Sequence, residues 1–292
     1  MALSGGPDSV AVTLVLINAG IKIKALHCNF HLRGEESDRD MRFVESFCKN
    51  YEVPLEIKEY DVKKFLDTNK GMSLEMACRK LRYEWFDRKL EETGYDRIAT
   101  GHNADDNIET FFLNLFRGSG TRGLRGMRND TGKIWRPLLS FHRSDILKYL
   151  HYRKQNFIID STNLESDYRR NFLRNKIIPL LKEEWKGFNT ALDKTIKNIE
   201  AENSLLETLL KDTLPSEGSV LSVNIILSSP APLLIIKRFI DPYGPYSATP
   251  QEILSAIKAN KPHIRKWKLK WGTVFLRNGS LFVEMIHGEC CT

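Results

Sequence analysis

Three absences in this 292-residue sequence narrow the kinds of protein it can be. No apolar run approaches the roughly 20 residues that a membrane-spanning helix needs. There are only five cysteines, and none of them belongs to a Cys-x-x-Cys pair, which disfavours a zinc ribbon or a cysteine-ligated cluster. An odd number of scattered thiols is typical of a reducing compartment. Together these absences predict a cytoplasmic protein that does not bind a membrane.

The charge balance leaves two interpretations open. Lysine and arginine number 44 against 37 acids, which gives a formal net charge of +7. A basic excess suits a polyanionic partner such as a nucleic acid. The same excess on a chain of this size is equally expected from solubility alone. Charge by itself therefore does not identify a partner.

Strand-like runs alternate with helical patterns along the first 160 residues or so. Residues 21–28, 53–57 and 96–100 are predicted strands, and the predicted helices between them are Val10–Asn18, Ser37–Lys49 and Leu74–Glu92. This alternation predicts an α/β fold with a parallel sheet covered on both faces. In such sheets, ligands bind beyond the carboxyl ends of the strands.

The rest of the chain predicts a helical linker and a smaller domain. A helical stretch runs from Asn171 to Leu210, and Pro179 is expected to interrupt it. A smaller α/β unit follows, with a helix near residues 249–260 and an Asn-Gly hairpin turn at 278–279. The expected domains are a catalytic domain over 1–185, a helical linker over 186–213 and a smaller α/β substrate-binding domain over 214–292, whose first residues, 214–220, resemble a linker loop.

A glycine-bearing turn opens the first predicted helix, and its residues are Ser4, Gly5, Gly6, Pro7, Asp8 and Ser9. Two glycines let the backbone approach an anion, and the open amides and dipole of a helix start attract phosphate. No Gly-Lys-Ser/Thr follows, so this is not a Walker loop. Without a loop lysine, a metal must offset the phosphate charge, and we assign Asp8 to Mg²⁺. A polar helix cap is the alternative interpretation. Only three residues precede the turn, so the first strand is expected to be truncated.

Two acids follow the third predicted strand. Asp106 and Glu109 stand three positions apart and share a helix face. Paired carboxylates at a strand end can grip an ammonium group, take its proton or hold Mg²⁺. Acids are also favoured at any helix start, so spacing alone leaves both interpretations open.

Arginines form two clusters in the second half of the predicted catalytic domain. Guanidinium groups on glycine-rich backbone can reach successive phosphates and stack on bases. A solvated face is the alternative, but two clusters with interleaved glycine in a basic chain favour RNA contact. The first cluster contains Arg117, Arg122, Arg125, Arg128 and Arg136, and the second contains Arg169, Arg170 and Arg174.

Motifs in a fixed order carry a family resemblance. The Ser4–Ser9 turn resembles the pyrophosphatase loop of the PP-loop, or N-type ATP pyrophosphatase, superfamily. Further segments are HLRG from His31, EMACRKLRY from Glu75, ATGHNADDNIET from Ala99 with RGSG from Arg117, and DSTN from Asp160 with YRRNFLR from Tyr168. In this order they resemble the tRNA(Ile)-lysidine synthetase family over about residues 1–185.

The resemblance implies an adenine nucleotide alpha hydrolase-like, Rossmann-like sheet and a ligase that forms a carbon–nitrogen bond. ATP with Mg²⁺ adenylates the C2 oxygen of the wobble cytidine in an isoleucine tRNA with a CAU anticodon, releasing pyrophosphate. The ε-amine of free L-lysine then attacks C2 and expels AMP. The smaller domain would bind the tRNA, and the sequence permits a homodimer without requiring one.

The resemblance also suggests residue roles. It implies catalytic roles for Asp8, Asp106, Glu109 and Arg79. His31 and His102 would join the Ser4–Ser9 turn in holding the nucleotide, and Arg82 would join the two arginine clusters in contacting the RNA.

Three other functions remain as alternatives. A tRNA thiolation enzyme of the same superfamily needs sulfur-carrying or cluster-binding cysteines, and the absent Cys-x-x-Cys counts against it. An amide-forming synthetase acting on a small molecule does not need two arginine clusters. A non-catalytic RNA-binding module explains the charge but not a carboxylate pair beside a nucleotide loop.

Overall fold

A computed structural model describes residues 1–159, 168–211, 220–244, 249–259 and 265–285. The chain forms two compact units, Met1–Ala201 and Glu202–Thr292. The strands of the first unit are β1 (Ala25–Asn29), β2 (Leu55–Glu59), β3 (Ile98–Ala99) and β4 (Ile134–Trp135). Its helices are α1 (Pro7–Asn18), α2 (Glu35–Asn50), α3 (Val62–Thr68), α4 (Leu74–Thr93), α5 (Ala104–Phe116), α6 (Thr121–Leu124), α7 (Arg143–Tyr152), α8 (Tyr168–Phe172), α9 (Ile178–Glu184) and α10 (Phe188–Leu210), whose last turns enter the second unit.

Residues 1–3 join two parallel strand pairs into one sheet. β1 pairs with β2 and β3 pairs with β4, both in parallel. The amide of Ala2 donates to the Ala99 carbonyl at 2.9 Å, and that of Leu3 donates to the Leu26 carbonyl at 2.9 Å. The order across the sheet is therefore β2, β1, residues 1–3, β3 and β4. The predicted parallel α/β sheet is confirmed, and the Ser4–Gly6 turn leaves its centre at the carboxyl edge.

Helix α1 lies at the heart of the first unit. Its side chains Val10, Val12, Leu14 and Leu16 are buried in the same core cluster as Phe47 of α2. A helix that is apolar nearly all round is a buried helix. The turn that precedes α1 is consequently mounted on a rigid, enclosed element.

Element positions were predicted better than element ends. The predicted strands overlap β1, β2 and β3, but the first of them begins too early, because Ile21–Lys24 lie outside β1. The three predicted helices match α1, α2 and α4 to within three residues at each end. Such end shifts are usual, since terminal turns and strand ends are marginally paired.

The expectation that Pro179 interrupts the long helical stretch was wrong in position. A π-helical turn, Leu173–Ile177, runs directly into α9, where Pro179 lies in the first turn and its missing N–H is tolerated. The break falls instead at Gly187, whose φ of +81° lies in the left-handed region that ends helices. Within the described ranges, no helix has both the length and the apolar composition that crossing a bilayer requires.

The second unit is a small α/β layer. Its elements are β5 (Val220–Ser222), α11 (Val223–Ser228), α12 (Pro232–Ile240), α13 (Pro250–Lys258), β6 (Arg265–Lys268), β7 (Gly272–Arg277) and β8 (Ser280–Met285). The strands form an antiparallel sheet in the order β5-β8-β7-β6, and α12 and α13 share one apolar core with it. The predicted Asn278-Gly279 turn joins β7 to β8, with φ values of +49° and +69°. Most of the predicted linker loop, 214–220, lies outside the described residues.

Candidate active site

A cleft of about 480 Å³ opens at the carboxyl edge of the parallel sheet. It brings together three parts of the predicted site: the Ser4–Ser9 turn, the Thr100–His102 segment after β3, and the cleft face of α4. Arginines from α7, α8 and the π-helical turn complete the lining. The charged residues on its walls are Asp8, Glu75, Arg79, Arg82, Asp106, Arg143, Arg170 and Arg174.

The Ser4–Ser9 turn is fixed by its own hydroxyl groups. The Ser4 amide donates to Ser9 Oγ at 3.2 Å, and Ser9 Oγ donates to the Gly6 carbonyl at 2.9 Å. Gly5 has a φ of +88°, and a Cβ there would lie 2.3 Å from Ile158 Cδ1. Position 5 therefore requires glycine for both its backbone angle and its contact. The turn is organised before any ligand arrives.

The N-terminus of α1 is open toward the cleft. Its N-cap residue, Gly6, has no side chain that caps the first-turn amides, and Pro7 follows directly. First-turn amides of a helix have no acceptor within that helix, so they are available to an anion. Gly101 passes close by, since a Cβ there would lie 2.9 Å from both Asp8 C and Ser9 N. This arrangement fits a phosphate group better than a polar cap.

The Asp8 carboxylate lies at the edge of this open helix end. Its Oδ1 accepts from Asn103 Nδ2 at 3.0 Å, and its Oδ2 accepts from Arg143 Nη1 at 2.9 Å. Burial raises the pKa of Asp8, while the positive charge of Arg143 and the Asn103 hydrogen bond oppose the rise. The predicted metal role of Asp8 is compatible with this position, because Mg²⁺ in nucleotide sites takes one or two carboxylates plus phosphate oxygens. Among the described residues, no three His, Cys, Asp or Glu side chains are grouped so that they could hold a metal ion together. Phosphate and water would therefore complete such a site.

The two acids of α5 are bonded to the second arginine cluster. Glu109 has a 2% exposed side chain and accepts from Arg170 Nε at 2.8 Å and from Arg174 Nε at 2.6 Å. Arg174 Nη2 also contacts Asp106 Oδ1 at 3.0 Å. Asp106 lines the cleft, whereas Glu109 is not among the residues that line it. The pair predicted to meet an ammonium group and the arginines predicted to meet RNA thus hold each other.

Asp106 also closes the start of α5. The Asn103 amide donates to Asp106 Oδ2 at 3.1 Å, and the Asp106 amide donates to Asn103 Oδ1 at 3.0 Å. This reciprocal pair is a capping box, which satisfies two helix-start donors at once. Asp106 therefore does stabilise a helix start, as the alternative interpretation of the acids expected. This capping role does not remove Asp106 from the cleft.

The α4 wall presents cations and aromatic rings. The guanidinium of Arg79 lies 4.7 Å from the Tyr83 ring centroid, and that of Arg82 lies 5.5 Å from the centroid of Phe30. A guanidinium held by its flat face keeps its N–H groups free to point elsewhere. Both predicted residues therefore lie where they can reach a ligand in the cleft.

His102 faces these arginines in its neutral form. Its Nδ1 lies 2.8 Å from Thr100 Oγ1. Burial, together with the positive charges of Arg136, Arg170, Arg79 and Arg82, lowers the pKa of His102 to about 4. A neutral imidazole surrounded by cations indicates a site with a deficit of negative charge. A bound polyphosphate would correct that deficit.

Some predicted residues are not brought to the cleft. His31 contacts Glu59 through its Nε2 and is not among the residues that line the cleft. Arg125 is buried, so the structure does not present it to a phosphate on the surface. Arg136 is half-buried and donates to the Arg128 carbonyl at 2.7 Å. Within the two predicted arginine clusters, the members with exposed side chains are Arg117, Arg122, Arg128 and Arg169. The DSTN segment at 160–163 lies outside the described residues.

Sequence reasoning missed three residues at or beside the cleft. Arg143 and Asn103 hold Asp8, and Asn171 lines the cleft with a buried Nδ2 that has no hydrogen-bond partner among the described residues. Asn171 lies within the YRRNFLR motif that begins at Tyr168, so the motif carried a signal that could have found it. Arg143 lies 135 positions from Asp8 and carried no spacing signal.

Comparison with known proteins identifies the class of this cleft. Residues 1–181 match the PP-loop domain family. The structure is similar to the U34-tRNA thiolase NcsA from Methanococcus maripaludis, with a TM-score of 0.57, 18% identity, and coverage of 68% of this chain and 71% of that one. At that identity the likeness shows the fold alone. The first unit is thus a PP-loop, ATP-binding domain.

The sequence relatives identify the family within this class. The tRNA(Ile)-lysidine synthase of Bacteroides thetaiotaomicron is 38% identical over 99% of this chain and 68% of its own length. That of Porphyromonas gingivalis W83 is 42% identical over 84% of this chain and 54% of its own length. That of Parabacteroides distasonis is 39% identical over 88% and 59%, respectively. The chain belongs to the tRNA(Ile)-lysidine synthase family and spans about one half to two thirds of these relatives' lengths.

Proposed function

We propose that this chain carries out the chemistry of tRNA(Ile)-lysidine synthase: ATP-dependent attachment of lysine to the wobble cytidine of an isoleucine tRNA with a CAU anticodon. The observation that carries the proposal is the uncapped start of α1, where the lysine-free Ser4–Ser9 turn faces a cleft rich in arginine. Membership of the family supports the substrate, and the geometry supports the use of a nucleotide triphosphate.

In the first step the cytidine is adenylated. The α1 amides and the hydroxyls of Ser4 and Ser9 hold the phosphates, and Asp8 would hold Mg²⁺. The metal offsets charge on the phosphates when bound. Arg79 and Arg82 stabilise the negative charge that develops as the C2 oxygen attacks the α-phosphate. Pyrophosphate leaves toward the α1 end of the cleft.

In the second step the ε-amine of free L-lysine attacks C2, a carbon–nitrogen bond forms, and AMP departs with the former C2 oxygen. Asp106 lies in the cleft and attracts the lysine ammonium, which must lose a proton before it attacks. Glu109 acts from behind, because its bonds to Arg170 and Arg174 set their positions against Asp106. Asp106 thus keeps the catalytic role predicted for it, whereas Glu109, also predicted as catalytic, is proposed here as a positioning residue.

The RNA would meet exposed cations on the first unit. Arg117, Arg122 and Arg169 have exposed side chains and are the candidates for phosphate contact. The smaller unit is proposed as a second tRNA-binding surface. The cytoplasm, where ATP, free lysine and unmodified tRNA occur together, is the proposed compartment. A homodimer stays a prediction.

The experiment supplies the protein with ATP, Mg²⁺, labelled lysine and unmodified isoleucine tRNA, and measures label in the RNA together with pyrophosphate. We expect label that depends on ATP and on the CAU anticodon. Transfer from a sulfur donor instead would favour thiolation, and pyrophosphate release without RNA would favour a small-molecule substrate.

Substitution of Asp8 gives the matched control for this assay. Asp8→Ala is expected to abolish pyrophosphate release, because the phosphates lose their metal ligand. Asp67→Ala, which removes an exposed acid from α3, is expected to leave both products unchanged. Undiminished turnover in Asp8→Ala would refute the metal role.

A further inference from the structure

We propose that Arg143 is a pyrophosphate-binding residue that Asp8 holds in reserve, and that it passes from the carboxylate to the phosphates when the metal takes Asp8. This inference rests on the proposed function and adds to it a residue and a sequence of contacts. Arg143 is one of the three residues that sequence reasoning missed, although it forms an ion pair with Asp8 of the Ser4–Ser9 turn.

The contact itself is the first observation. Arg143 Nη1 donates to Asp8 Oδ2 at 2.9 Å, and the side chain of Arg143 is 44% exposed. Both residues line the cleft, beside the open N-terminus of α1. A half-exposed guanidinium at this position is bonded to one carboxylate oxygen and can turn toward a ligand without becoming buried.

The partner of Arg143 distinguishes it from the other cleft arginines. Arg170 and Arg174 are bonded to the buried Glu109, while Arg79 lies over the ring of Tyr83 and Arg82 over that of Phe30. None of these four contacts involves the carboxylate assigned to Mg²⁺. Arg143 does contact it, so Arg143 would have to compete with a Mg²⁺ ion for the charge of Asp8.

The backbone of Arg143 is held while its side chain is not. Its amide donates to Asp105 Oδ2 at 2.8 Å, and the same carboxylate receives Lys182 Nζ at 2.9 Å on its other oxygen. His142, the preceding residue, lies between Asp105 at 3.2 Å and Asp193 at 3.1 Å. The start of α7 is therefore anchored to α5, α9 and α10. Only side-chain rotation is needed for Arg143 to leave Asp8.

The chemistry of the turn supplies the destination. The Ser4–Ser9 turn has no lysine, so backbone amides and one metal must balance a triphosphate. A guanidinium displaced from Asp8 is already next to those phosphates and can bond two of their oxygens. As pyrophosphate leaves, its charge increases, and a cation at this position stabilises it more than it stabilises the bound triphosphate.

The experiment measures binding rather than turnover. Titration calorimetry with Mg²⁺ and inorganic pyrophosphate, and separately with AMP, is performed on the wild type, Arg143→Gln and Arg143→Lys. Loss of a charge-assisted hydrogen bond predicts roughly 10-fold to 100-fold weaker pyrophosphate binding in Arg143→Gln. AMP binding is expected to be unchanged, and Arg143→Lys is expected to recover part of the loss. Arg153→Gln, an exposed arginine just beyond the other end of α7, is the control.

A metal-free titration makes the test specific to the transfer. Without Mg²⁺, Asp8→Asn is expected to bind pyrophosphate more tightly than the wild type, because Arg143 no longer has a charged partner. The double variant Asp8→Asn with Arg143→Gln is expected to lose that gain. A fixed counter-ion of Asp8 would make the effects of the two substitutions additive, whereas transfer makes Arg143→Gln cost more in the Asp8→Asn background than in the wild type.

The outcomes separate this inference from the proposed function. If Arg143→Gln weakens AMP and pyrophosphate equally, or if Asp8→Asn shows no metal-free gain, the transfer is refuted while Mg·ATP binding by the wild type still supports the proposed function. If the wild type binds neither Mg·ATP nor pyrophosphate, both proposals are overturned together.

Discussion

Helices α1 and α5 start at the same edge of the sheet and face the same cleft, yet their N-termini are finished in opposite ways. At α1 the N-cap is Gly6, which offers no side-chain acceptor to the first-turn amides. At α5 the capping box satisfies the amides of Asn103 and Asp106, and Arg174 covers the remaining Asp106 oxygen. One helix start is left for a ligand and the other is closed by the protein.

This difference shows which acids and amides are available for chemistry. Acids near a helix start occur in both places, so their presence alone carries little information. What distinguishes α1 is the lack of an internal partner for its amides and the exchangeable partner of Asp8. What distinguishes α5 is a buried ionic cluster that holds its position before any substrate binds. The site thus combines a helix start that is open to a ligand, at α1, with an ionic cluster that is already in place, at α5.

The largest expected effect tests the closed side. Glu109→Ala removes the buried acceptor of Arg170 and Arg174, and breaking a buried ion pair costs about 3–5 kcal/mol. Both arginines are about one third exposed and can regain water, so we expect about 2 kcal/mol. For a unit of this size that lowers the melting temperature by roughly 4–8 °C, measured by calorimetry.

The control for Glu109→Ala is Glu183→Ala, which removes an exposed acid from α9 and is expected to leave the melting temperature unchanged. Asp106 and the α1 end remain in place in Glu109→Ala, so Mg·ATP affinity should change little. An unchanged melting temperature together with lost lysine transfer would identify Glu109 as a reacting group. The ionic cluster at α5 would then not be a prearranged structural element.

A smaller effect is expected on the open side. Gly101→Ala places a Cβ 2.9 Å from the backbone of Asp8 and Ser9, which must move apart. Overpacking of this kind costs about 1–3 kcal/mol. The displaced atoms carry the amides that face the ligand, so we expect roughly 10-fold weaker Mg·ATP binding by calorimetry. Gly120→Ala is the matched control, since a Cβ there has no atom within 4 Å and its φ is ordinary. Equal losses in both variants would show that α1 tolerates the contact.

The sequence predicts the open side of the site far better than the closed side. The signal of the Ser4–Ser9 turn is local, because its two glycines and its proline lie within six residues that contain no lysine. The structure places these residues at the start of α1. The parallel sheet was equally predictable, because alternating strands and helices leave few ways to bury their apolar faces. Strand ends were less so, and Met1–Leu3 bridge the two strand pairs through contacts that no periodicity reveals.

The closed side depends on pairs far apart in the chain. Glu109 meets Arg174 across 65 positions, and Asp8 meets Arg143 across 135. An acid and an arginine on separate helices each look like solvated surface until folding brings them together. For this reason Glu109 was predicted as a catalytic group, Arg170 and Arg174 were predicted as RNA contacts, and Arg143 was not predicted at all.

The smallest expected effect is a change in the protonation of His102, which tests whether the bound anion lies between the starts of α1 and α5. Burial lowers the pKa of His102 to about 4 from 6.5, so the unfolded chain holds a proton between these values that the folded chain does not. Stability is therefore full above pH 6.5 and is lost as the pH falls toward 4. Burial also lowers the pKa of His27, with the same sign, so only the difference between wild type and His102→Asn isolates this residue.

A phosphate beside His102 would raise that pKa, because its negative charge offsets the positive charges of the four arginines that help to lower the pKa. Binding of Mg·ATP at pH 5 is then accompanied by uptake of a fraction of a proton, while binding at pH 7.5 is not. Calorimetry in two buffers of different ionisation enthalpy measures this uptake, which should vanish in His102→Asn. Uptake that persists in the variant would mean that another group, such as Asp8 with its raised pKa, takes the proton and that the anion lies wholly on the α1 side.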